Sequence, residues 1–257
     1  MKVLNPQLNY EKFLNDLILS KHKALLLDYD GTLAPFQEDP TKAFPYEGVR
    51  EILNKINNDS YTRMVIISGR WTKDLIPLLK LDKQPEIWGT HGIERLKSDG
   101  SYEVETIQEE NLRGLTEADH WLSTIGNVRY EQKPGSIAVH WRGLDRRNIK
   151  KIKSIVEPRF RNYTIRYGLI FAEFDGGYEL RVPGRKKGDA VQTILSEMPK
   201  KTISAYLGDD LTDEDAFKAI KGKGIGVLVR EELRPTIADL WIQPPQELLY
   251  FLLKWYL

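Results

Sequence analysis

The chain has 257 residues, of which 41% are hydrophobic and 29% charged, and its 38 basic and 37 acidic residues leave a formal net charge of +1. This composition is typical of a globular protein that is long enough to bury a sizeable core. The near balance of charge argues against a general binder of nucleic acids or membrane surfaces. Because the chain has no cysteine, disulfides, thiolate metal sites and cysteine nucleophiles are excluded.

The N-terminal segment, residues 1–23, has Asn, Asp, Glu and Lys among its apolar residues. It therefore lacks the continuous apolar run of a secretory signal. No stretch of the chain approaches the roughly 18 uncharged apolar residues that a membrane helix needs. We expect a cytoplasmic protein without a membrane or nucleic-acid partner.

Five short apolar runs occur along the chain, and the first four end in small or polar residues: 24–32, 63–70, 86–94, 202–210 and 224–229. Their continuous apolar character predicts strands that are buried on both faces, as in a parallel sheet. Four helix-like segments lie between them: Val49–Asn57, Thr72–Leu79, Lys187–Met198 and Asp213–Ile220. This alternation predicts an open, doubly wound α/β sheet, in which ligands bind beyond the carboxyl ends of the strands.

The middle of the chain has a different pattern, and residues 111–180 hold 12 Lys and Arg against 8 Asp and Glu. Helices are predicted over Leu112–Ile125 and Asp145–Val156, and a strand over 136–142. Alternating strands joined by Asp-Gly-Gly over 163–182 predict an antiparallel hairpin. This block indicates a second domain, and its positive charge favours an anionic ligand.

Asp28 and Asp30 follow the first of the buried strands and precede Gly31. Residues i and i+2 of a strand point to one face, so the two carboxylates can meet near the sheet edge if Gly31 permits a tight turn. An aspartate is ionised at neutral pH and can attack without a base, and paired carboxylates suit Mg²⁺. A strand-end turn with Asp in an Asx role explains the same residues in isolation.

Two further groups are expected at the same edge of the sheet. Ser68 supplies a hydroxyl, together with free backbone amides before a helix. Lys187 lies at a helix start, where the ammonium and the helix dipole both favour an anion. Each signal is weak alone, because a Ser-Gly after a strand is usually a turn and most lysines are solvated.

The acidic segment 206–217 is more informative. A helix cap at Thr212 and the helix dipole account for the three acids at 213–215, but they leave Asp209 and Asp210 unexplained. Asp209 ends a buried strand, so it is the natural third carboxylate beside a metal ion.

These four elements, in this order and at these strand ends, resemble the haloacid dehalogenase (HAD) superfamily of aspartyl phosphohydrolases. Four segments narrow the resemblance to the trehalose-6-phosphate phosphatase family: 89–94, 130–142, 178–190 and 206–217. The resemblance implies a Rossmann-like HAD core with a parallel sheet, formed by 1–108 and 183–257. A smaller, mobile α/β cap of type C2 would be inserted over 109–182.

The resemblance also implies the reaction, which is Mg²⁺-dependent hydrolysis of trehalose 6-phosphate to trehalose and phosphate through an aspartyl-phosphate. Asp28 would be the nucleophile, and Asp30 the general acid and then the base. Asp28, the backbone carbonyl of Asp30 and Asp209 would hold Mg²⁺. Ser68 and Lys187 would bind the phosphate oxygens.

Asp210 or Asp213 would orient Lys187 or a metal-bound water, and the residues alone do not separate the two. The residues implied to bind the substrate are Gly69, Arg70, Glu131, Lys133, His140, Arg142 and Glu179. On the residues alone, a structural role for His140 is equally open. His91 is interpreted as structural, because no second metal ligand lies at zinc-like spacing.

Three alternatives remain at this stage. In the first alternative, the substrate is another phosphorylated glycoside or osmolyte, such as glucosylglycerol phosphate or sucrose phosphate, because these phosphatases share the core chemistry. Alternatively, the chain is a catalytically silent phosphosugar-binding subunit, which the presence of the nucleophile and metal acids disfavours. A phosphomutase shares the core chemistry, with no residue that speaks for it. A trehalose-6-phosphate synthase is a possible functional partner.

Overall fold

The computed structural model describes residues 1–126, 128–174 and 176–256. Its strands are β1 (Lys2–Val3), β2 (Lys23–Leu27), β3 (Thr62–Ile67), β4 (Glu86–Gly89), β5 (Glu94–Leu96), β6 (Tyr102–Val104), β7 (Arg129–Lys133), β8 (Ser136–His140), β9 (Ile170–Phe174), β10 (Gly177–Arg181), β11 (Ile203–Gly208), β12 (Ile225–Val229) and β13 (Leu240–Ile242). Its helices are α1 (Tyr10–Leu19), α2 (Val49–Asn58), α3 (Thr72–Leu79), α4 (Glu109–Thr124), α5 (Arg146–Tyr167), α6 (Lys187–Ser196), α7 (Glu214–Ile220) and α8 (Gln246–Leu253).

The chain divides into two compact units. The core unit consists of Met1–Glu103 and Arg185–Leu257, and the cap unit of Val104–Gly184. The predicted domain boundaries at 109 and 182 fall inside the cap unit. Of the helices in the described ranges, none combines the length and the apolar character that crossing a bilayer requires.

The core unit contains a nine-stranded sheet in the order β1-β13-β12-β11-β2-β3-β4-β5-β6. The six strands from β13 to β4 run parallel, whereas β1 and β5 pair antiparallel with their neighbours. From β2 the chain adds β3 and β4 on one side, and it later returns to add β11, β12 and β13 on the other. Open α/β sheets bind ligands at such a switch point, which lies here between β2 and β11.

The parallel strands are buried on both faces, as their continuous apolar runs predict. Leu25 and Leu27 of β2 pack with residues of α1, α2, α3 and α8, whereas Leu26 packs with α6 and α7 on the opposite face. Burial of one such side chain contributes roughly 1.5–3 kcal/mol. Each strand and helix predicted for the core overlaps an observed element, which confirms the predicted α/β fold.

The cap unit contains a four-stranded antiparallel sheet in the order β7-β8-β10-β9, against which α4 and α5 pack. On β10, Tyr178 and Leu180 face this helical layer, and the Tyr178 hydroxyl donates to Glu157 of α5 at 3.1 Å. The cap unit is therefore a two-layer α/β structure with its own core.

The structure corrects the prediction for 163–167, which belongs to α5 and not to a strand. Tyr163 and Tyr167 continue the buried stripe of the helix, which also holds Ile152, Val156 and Phe160. Over 163–167, apolar residues alternate with Thr164 and Arg166, which is also the pattern of a strand. Five residues are too few to distinguish this pattern from the apolar stripe of a helix. Gly168 ends the helix at φ 62°.

The predicted hairpin is present as β9 and β10, in which Phe174 pairs with Gly177. Asp175, which the Asp-Gly-Gly pattern predicts to lie in the turn, is outside the described residues. The strands are therefore shorter than the alternating pattern over 163–182 suggests, and they begin only after the end of α5.

Candidate active site

Asp28 and Lys187 form a buried ion pair at the carboxyl edge of the core sheet. Lys187 Nζ lies 2.6 Å from Asp28 Oδ1, and the two residues are 5% and 3% exposed. The hydroxyl of Thr32 donates to Asp28 Oδ2 at 3.0 Å. Because Asp28 directly follows β2 and Lys187 begins α6, two distant segments fix both oxygens of one carboxylate.

Asp213 is fully buried and accepts four hydrogen bonds. Its Oδ1 accepts from Lys187 Nζ at 2.7 Å and from the Tyr206 hydroxyl at 2.5 Å. Its Oδ2 accepts from the backbone amides of Asp209 and Asp210 at 3.1 and 3.0 Å. Of the two candidates for contact with Lys187, the structure therefore brings Asp213 to the ammonium.

The predicted helix cap at Thr212 is wrong. Asp210 caps a short 3₁₀ turn, Leu211–Asp213, and exchanges reciprocal hydrogen bonds with Asp213. Because α7 begins only at Glu214, Asp213 lies before the helix and turns inward to Lys187. The helix dipole accounts for Glu214 and Asp215, which do lie in the first turn.

One carboxylate oxygen each of Asp28, Asp209 and Asp213 lies within 4.8 Å of the other two, and all three side chains are buried. Burial raises the pKa of Asp28 to about 7, against the lowering effect of Lys187. Burial and the charges of Asp28 and Asp213 raise the pKa of Asp209 to about 9. The ammonium of Lys187 contacts Asp28 and Asp213 but is the partner of neither alone. The three crowded carboxylates therefore fit a divalent cation, and oxygen ligands suit Mg²⁺.

Gly31 makes room for this cluster. Its φ is +79°, and a Cβ atom on it would lie 2.1 Å from Asp209 Oδ2. Any side chain at this position would therefore collide with the carboxylate and would strain a left-handed backbone. The close approach of the Asp28–Gly31 turn to Asp209 depends on glycine.

Asp30 has a different partner from Asp28. Arg70 Nε and Nη2 donate to its two carboxylate oxygens, each at 2.7 Å, and Arg70 Nη1 donates to the Pro40 carbonyl at 2.8 Å. Because β2 ends at Leu27, strand alternation does not decide where the two aspartates point. The side chain that joins Asp28 and Asp209 is that of Asp213, and a metal role for the Asp30 carbonyl stays a prediction.

Ser68 follows β3, a parallel neighbour of β2, so it lies at the same sheet edge as Asp28. It is buried, and its hydroxyl accepts from the Arg70 amide at 3.1 Å. The Ser68 carbonyl accepts from the His91 amide at 3.0 Å. A Cβ atom on Gly69 would lie 2.6 Å from His91 Cε1, so the imidazole packs directly against this segment.

In the cap unit, the strand register places four predicted sugar-binding residues on one face of the sheet. Glu131 and Glu179 both pair with Ala138, from opposite sides, and directly paired residues share a face. Lys133 and His140 lie two residues along from Glu131 and Ala138, so they share that face. Glu131 Oε2 lies 3.4 Å from Lys133 Nζ and 3.5 Å from His140 Nε2.

Arg142, the remaining predicted contact, follows β8 and lies beside Gly176, where a Cβ atom would come within 3.0 Å of Arg142 Nε. On the strand, the ring of His140 makes an edge contact with Phe174 at 5.6 Å between centroids. The side chain of Arg142 thus lies beside the turn between β9 and β10.

Sequence reasoning missed three residues that contact the site. Thr32 directly follows Gly31 in the segment Asp28–Thr32, and this position beside the paired aspartates is a usable signal. Tyr206 lies inside an apolar run, where it is indistinguishable from a core residue. Arg234 donates to the carbonyls of Asp209 and Asp210 at 3.1 and 2.6 Å. The residues around Arg234 form no sequence pattern that predicts this contact.

Comparison with known proteins places these features in a family. Residues 26–239 match the trehalose-phosphatase family. The trehalose-phosphate phosphatase of Mycobacterium avium (strain 104) is 30% identical over 230 residues, which are 84% of this chain and 56% of that protein. The chain thus spans about half the length of that relative.

The fold is shared with two solved structures. The C-terminal domain of the C. albicans trehalose-6-phosphate phosphatase superposes with a TM-score of 0.74 at 21% identity and covers 98% of both chains. A haloacid dehalogenase-like hydrolase from Bacteroides thetaiotaomicron gives 0.62 at 17% identity, over 91% of this chain and 99% of that one.

The nine-stranded core sheet and its inserted unit thus have the fold of the haloacid dehalogenase superfamily. Within it, the chain belongs to the trehalose-phosphatase family, since the match covers most of its length. The family resemblance found in the sequence is confirmed.

Proposed function

We propose that this protein is a phosphoric monoester hydrolase that removes the phosphate of trehalose 6-phosphate, with Asp28 as its nucleophile. The observation that carries the proposal is the buried contact of 2.6 Å between Lys187 Nζ and Asp28 Oδ1, beside two further carboxylates. Family membership supports the substrate, and the geometry supports the reaction.

The first step joins an oxygen of Asp28 to phosphorus as the bond from phosphorus to the sugar oxygen breaks. Lys187 orients this carboxylate, and its positive charge stabilises the phosphoryl group in the transition state of the transfer. Accelerations of up to ~10²¹-fold are required for phosphate monoesters, whereas one well-placed donor supplies roughly 3–4 kcal/mol. Ser68, Gly69 and Arg70 therefore add to the electrostatic stabilisation as phosphate ligands.

In its protonated form, Asp30 transfers a proton to the leaving sugar oxygen. The resulting carboxylate then accepts a proton from the water that cleaves the aspartyl-phosphate. Its bidentate contact with Arg70 holds the carboxylate in one orientation before the substrate arrives. Arg70 thus serves as a support for Asp30 as well as a phosphate ligand.

Asp28, Asp209 and the backbone carbonyl of Asp30 would hold Mg²⁺, with Asp210 and Asp213 as supporting residues. A bound cation supplies positive charge that balances the carboxylates and the phosphate and orients the phosphoryl group. The crowding of three buried carboxylates, two of which share the ammonium of Lys187, is the feature of this chain that calls for such a charge.

Glu131, Lys133 and Glu179 of the cap unit bind the sugar, together with His140 and Arg142. Carboxylates accept hydrogen bonds and an ammonium donates them, and sugar hydroxyls do both. The placement of four of these side chains on one sheet face supports this role. A trehalose-6-phosphate synthase as functional partner rests on the resemblance alone.

The test is phosphate release from trehalose 6-phosphate, glucosylglycerol phosphate and sucrose phosphate, with Mg²⁺ or with EDTA. We expect the highest kcat/KM with trehalose 6-phosphate, loss of activity in EDTA, and background activity in Asp28→Asn. Asp16→Asn is the matched control, because Asp16 is an exposed aspartate of α1 paired with Lys12.

Full activity of Asp28→Asn would exclude the assigned nucleophile. A higher kcat/KM with another sugar phosphate would change the substrate and keep the reaction class. Binding of the phosphosugar without turnover would favour a regulatory subunit over an enzyme.

A further inference from the structure

Glu94, the first residue of β5, is a fully buried carboxylate that accepts four hydrogen bonds. Its Oε1 accepts from the Thr72 amide at 2.8 Å and the Thr90 hydroxyl at 3.1 Å. Its Oε2 accepts from the hydroxyls of Thr72 and Tyr102 at 3.0 and 2.7 Å. Burying a charge is unfavourable unless it is hydrogen-bonded, and here both oxygens are fully engaged.

One of these contacts fixes the start of α3. The residue that precedes the helix, Trp71, makes no side-chain cap, although the first amides of a helix have no partner within it. Glu94 supplies an acceptor for the Thr72 amide, and its charge lies at the positive end of the helix dipole. Glu94 thereby fixes the point at which the chain leaves Arg70 and enters the helix.

A second contact holds a turn with an unusual backbone. Thr90 and His91 have φ values of 48° and 57°, which are uncommon outside glycine and especially for a β-branched residue. Such a conformation persists where the surroundings over-determine it. The hydrogen bond from the Thr90 hydroxyl to Glu94 is one such restraint.

This turn contacts the segment that carries Ser68. The Thr90 amide donates to the Arg70 carbonyl at 2.9 Å, and the His91 amide donates to the Ser68 carbonyl at 3.0 Å. The His91 ring packs against Gly69, which lies between them. The left-handed turn at Thr90 and His91 therefore restrains the backbone of Ser68–Arg70 through these three contacts.

We propose that Glu94 is a positioning residue for phosphate binding: through α3 and the Thr90–His91 turn, it fixes the backbone of Ser68–Arg70. That backbone presents the Ser68 hydroxyl and the Gly69 amide, so this inference rests on the proposed phosphatase function. It also gives a role to the backbone of His91, whose side chain the sequence indicates to be structural.

The test compares Glu94→Ala and Glu94→Gln with Asp239→Ala. Asp239 is a matched control because it is also a buried carboxylate of the core unit, but it bonds Asn5 Nδ2 and the Gly226 amide. The readouts are the affinity for inorganic phosphate, by calorimetry with Mg²⁺ present, and kcat/KM for 4-nitrophenyl phosphate. Both measurements are made at temperatures at which circular dichroism shows that each variant is folded.

Glu94→Ala is expected to weaken phosphate affinity and kcat/KM by at least about tenfold, because two restraints on the segment are lost. In Glu94→Gln, the amide oxygen keeps the bonds from the Thr72 amide and Thr90, and its NH₂ group donates to the hydroxyls of Thr72 and Tyr102. We therefore expect it to retain most of the affinity. Asp239→Ala is expected to lose stability while its folded fraction binds phosphate normally.

Wild-type phosphate affinity in folded Glu94→Ala, or an equal loss in Asp239→Ala, would overturn the proposal. If Glu94→Ala does not fold, Thr90→Ala replaces it, since it removes the bond to the turn and leaves three bonds to Glu94. Its phosphate affinity is then expected to fall, and an unchanged value overturns the proposal. Wild-type protein that hydrolyses 4-nitrophenyl phosphate but not trehalose 6-phosphate contradicts the proposed substrate and leaves this inference standing.

Discussion

Arg70 and Asp30 form a bidentate ion pair in which two guanidinium nitrogens each donate to one carboxylate oxygen at 2.7 Å. If Asp30 protonates the leaving group, the effect of its loss depends on that group. Asp30→Asn is expected to lower kcat by roughly 10²–10⁴-fold with trehalose 6-phosphate. The loss is expected to be much smaller with 4-nitrophenyl phosphate, whose phenolate leaves without a proton.

Arg70→Ala is expected to lower kcat/KM on both substrates, because a phosphate ligand is lost. The loss is expected to be about tenfold larger on the sugar phosphate, because the orientation of Asp30 is also freed. Steady-state kinetics on both substrates measure the two effects. Equal losses of Asp30→Asn on both substrates would assign Asp30 to phosphate binding and would contradict the general-acid role.

Lys187 is the cation that Asp28 and Asp213 share. Breaking a buried ion pair by removing one partner costs about 3–5 kcal/mol. Lys187→Met is therefore expected to lower the free energy of unfolding by this amount in EDTA and to abolish activity. The double variant Lys187→Met/Asp213→Asn is expected to be less destabilised than the sum of the single variants, because one orphaned charge is also removed.

Urea denaturation measures these free energies of unfolding. Lys12→Met is the control, since Lys12 is an exposed partner of Asp16 on α1, and its effect is expected to stay within about 0.5 kcal/mol. If Lys187→Met had the same free energy of unfolding as the wild type, the buried ion pair would contribute nothing to stability.

Arg234 holds the backbone on the metal side of the site. It donates to the carbonyls of Asp209 and Asp210 and also to Glu214, while Asp213 accepts from the two amides of the same segment. Arg234→Ala is expected to raise the Mg²⁺ concentration for half-maximal activity by about tenfold, because Asp209 loses its support. A smaller effect is expected on KM.

Calorimetric Mg²⁺ titration provides a readout independent of turnover. Arg95→Ala is the control, since Arg95 is a partly buried arginine that pairs with Glu86 and Glu197. An unchanged Mg²⁺ affinity in Arg234→Ala, or the same change in Arg95→Ala, would assign Arg234 to general stability.

Glu197 contributes a pH-dependent stability through a surface network. Its hydrogen bonds with Arg95 and Arg63 lower its pKa to about 2, from 4.5. Because the pKa is lower in the folded state, this stabilisation is complete above the unfolded value of 4.5 and is lost as pH falls towards 2. The side chain is 37% exposed, so water screens the interaction and we expect about 1 kcal/mol at pH 7.

Urea denaturation of wild type and Glu197→Gln across acidic and neutral pH tests this window. The difference in the free energy of unfolding is expected to be constant at neutral pH and to shrink below pH 4.5. Glu103→Gln, in an exposed pair with Lys97, serves as the control. A difference that does not change with pH would contradict the assignment.

The amino-acid sequence by itself determined the core sheet and where its polar groups lie. Continuous apolar runs such as residues 24–27 are buried from both sides in a parallel sheet, and their ends meet at one edge. That reasoning led to Asp28, Ser68, Lys187 and Asp209, of which the structure brings Asp28 to Lys187 and to Asp209.

The tertiary structure alone decided which partners these side chains have. The residues around Asp213 predict an acid in the first turn of a helix, yet its carboxylate accepts a hydrogen bond from Lys187, 26 residues away. Glu94 has no local sign of contact with Thr72, 22 residues away. Hydrophobic periodicity reports which face of an element is buried, but a hydrogen bond between distant segments depends on how those elements pack.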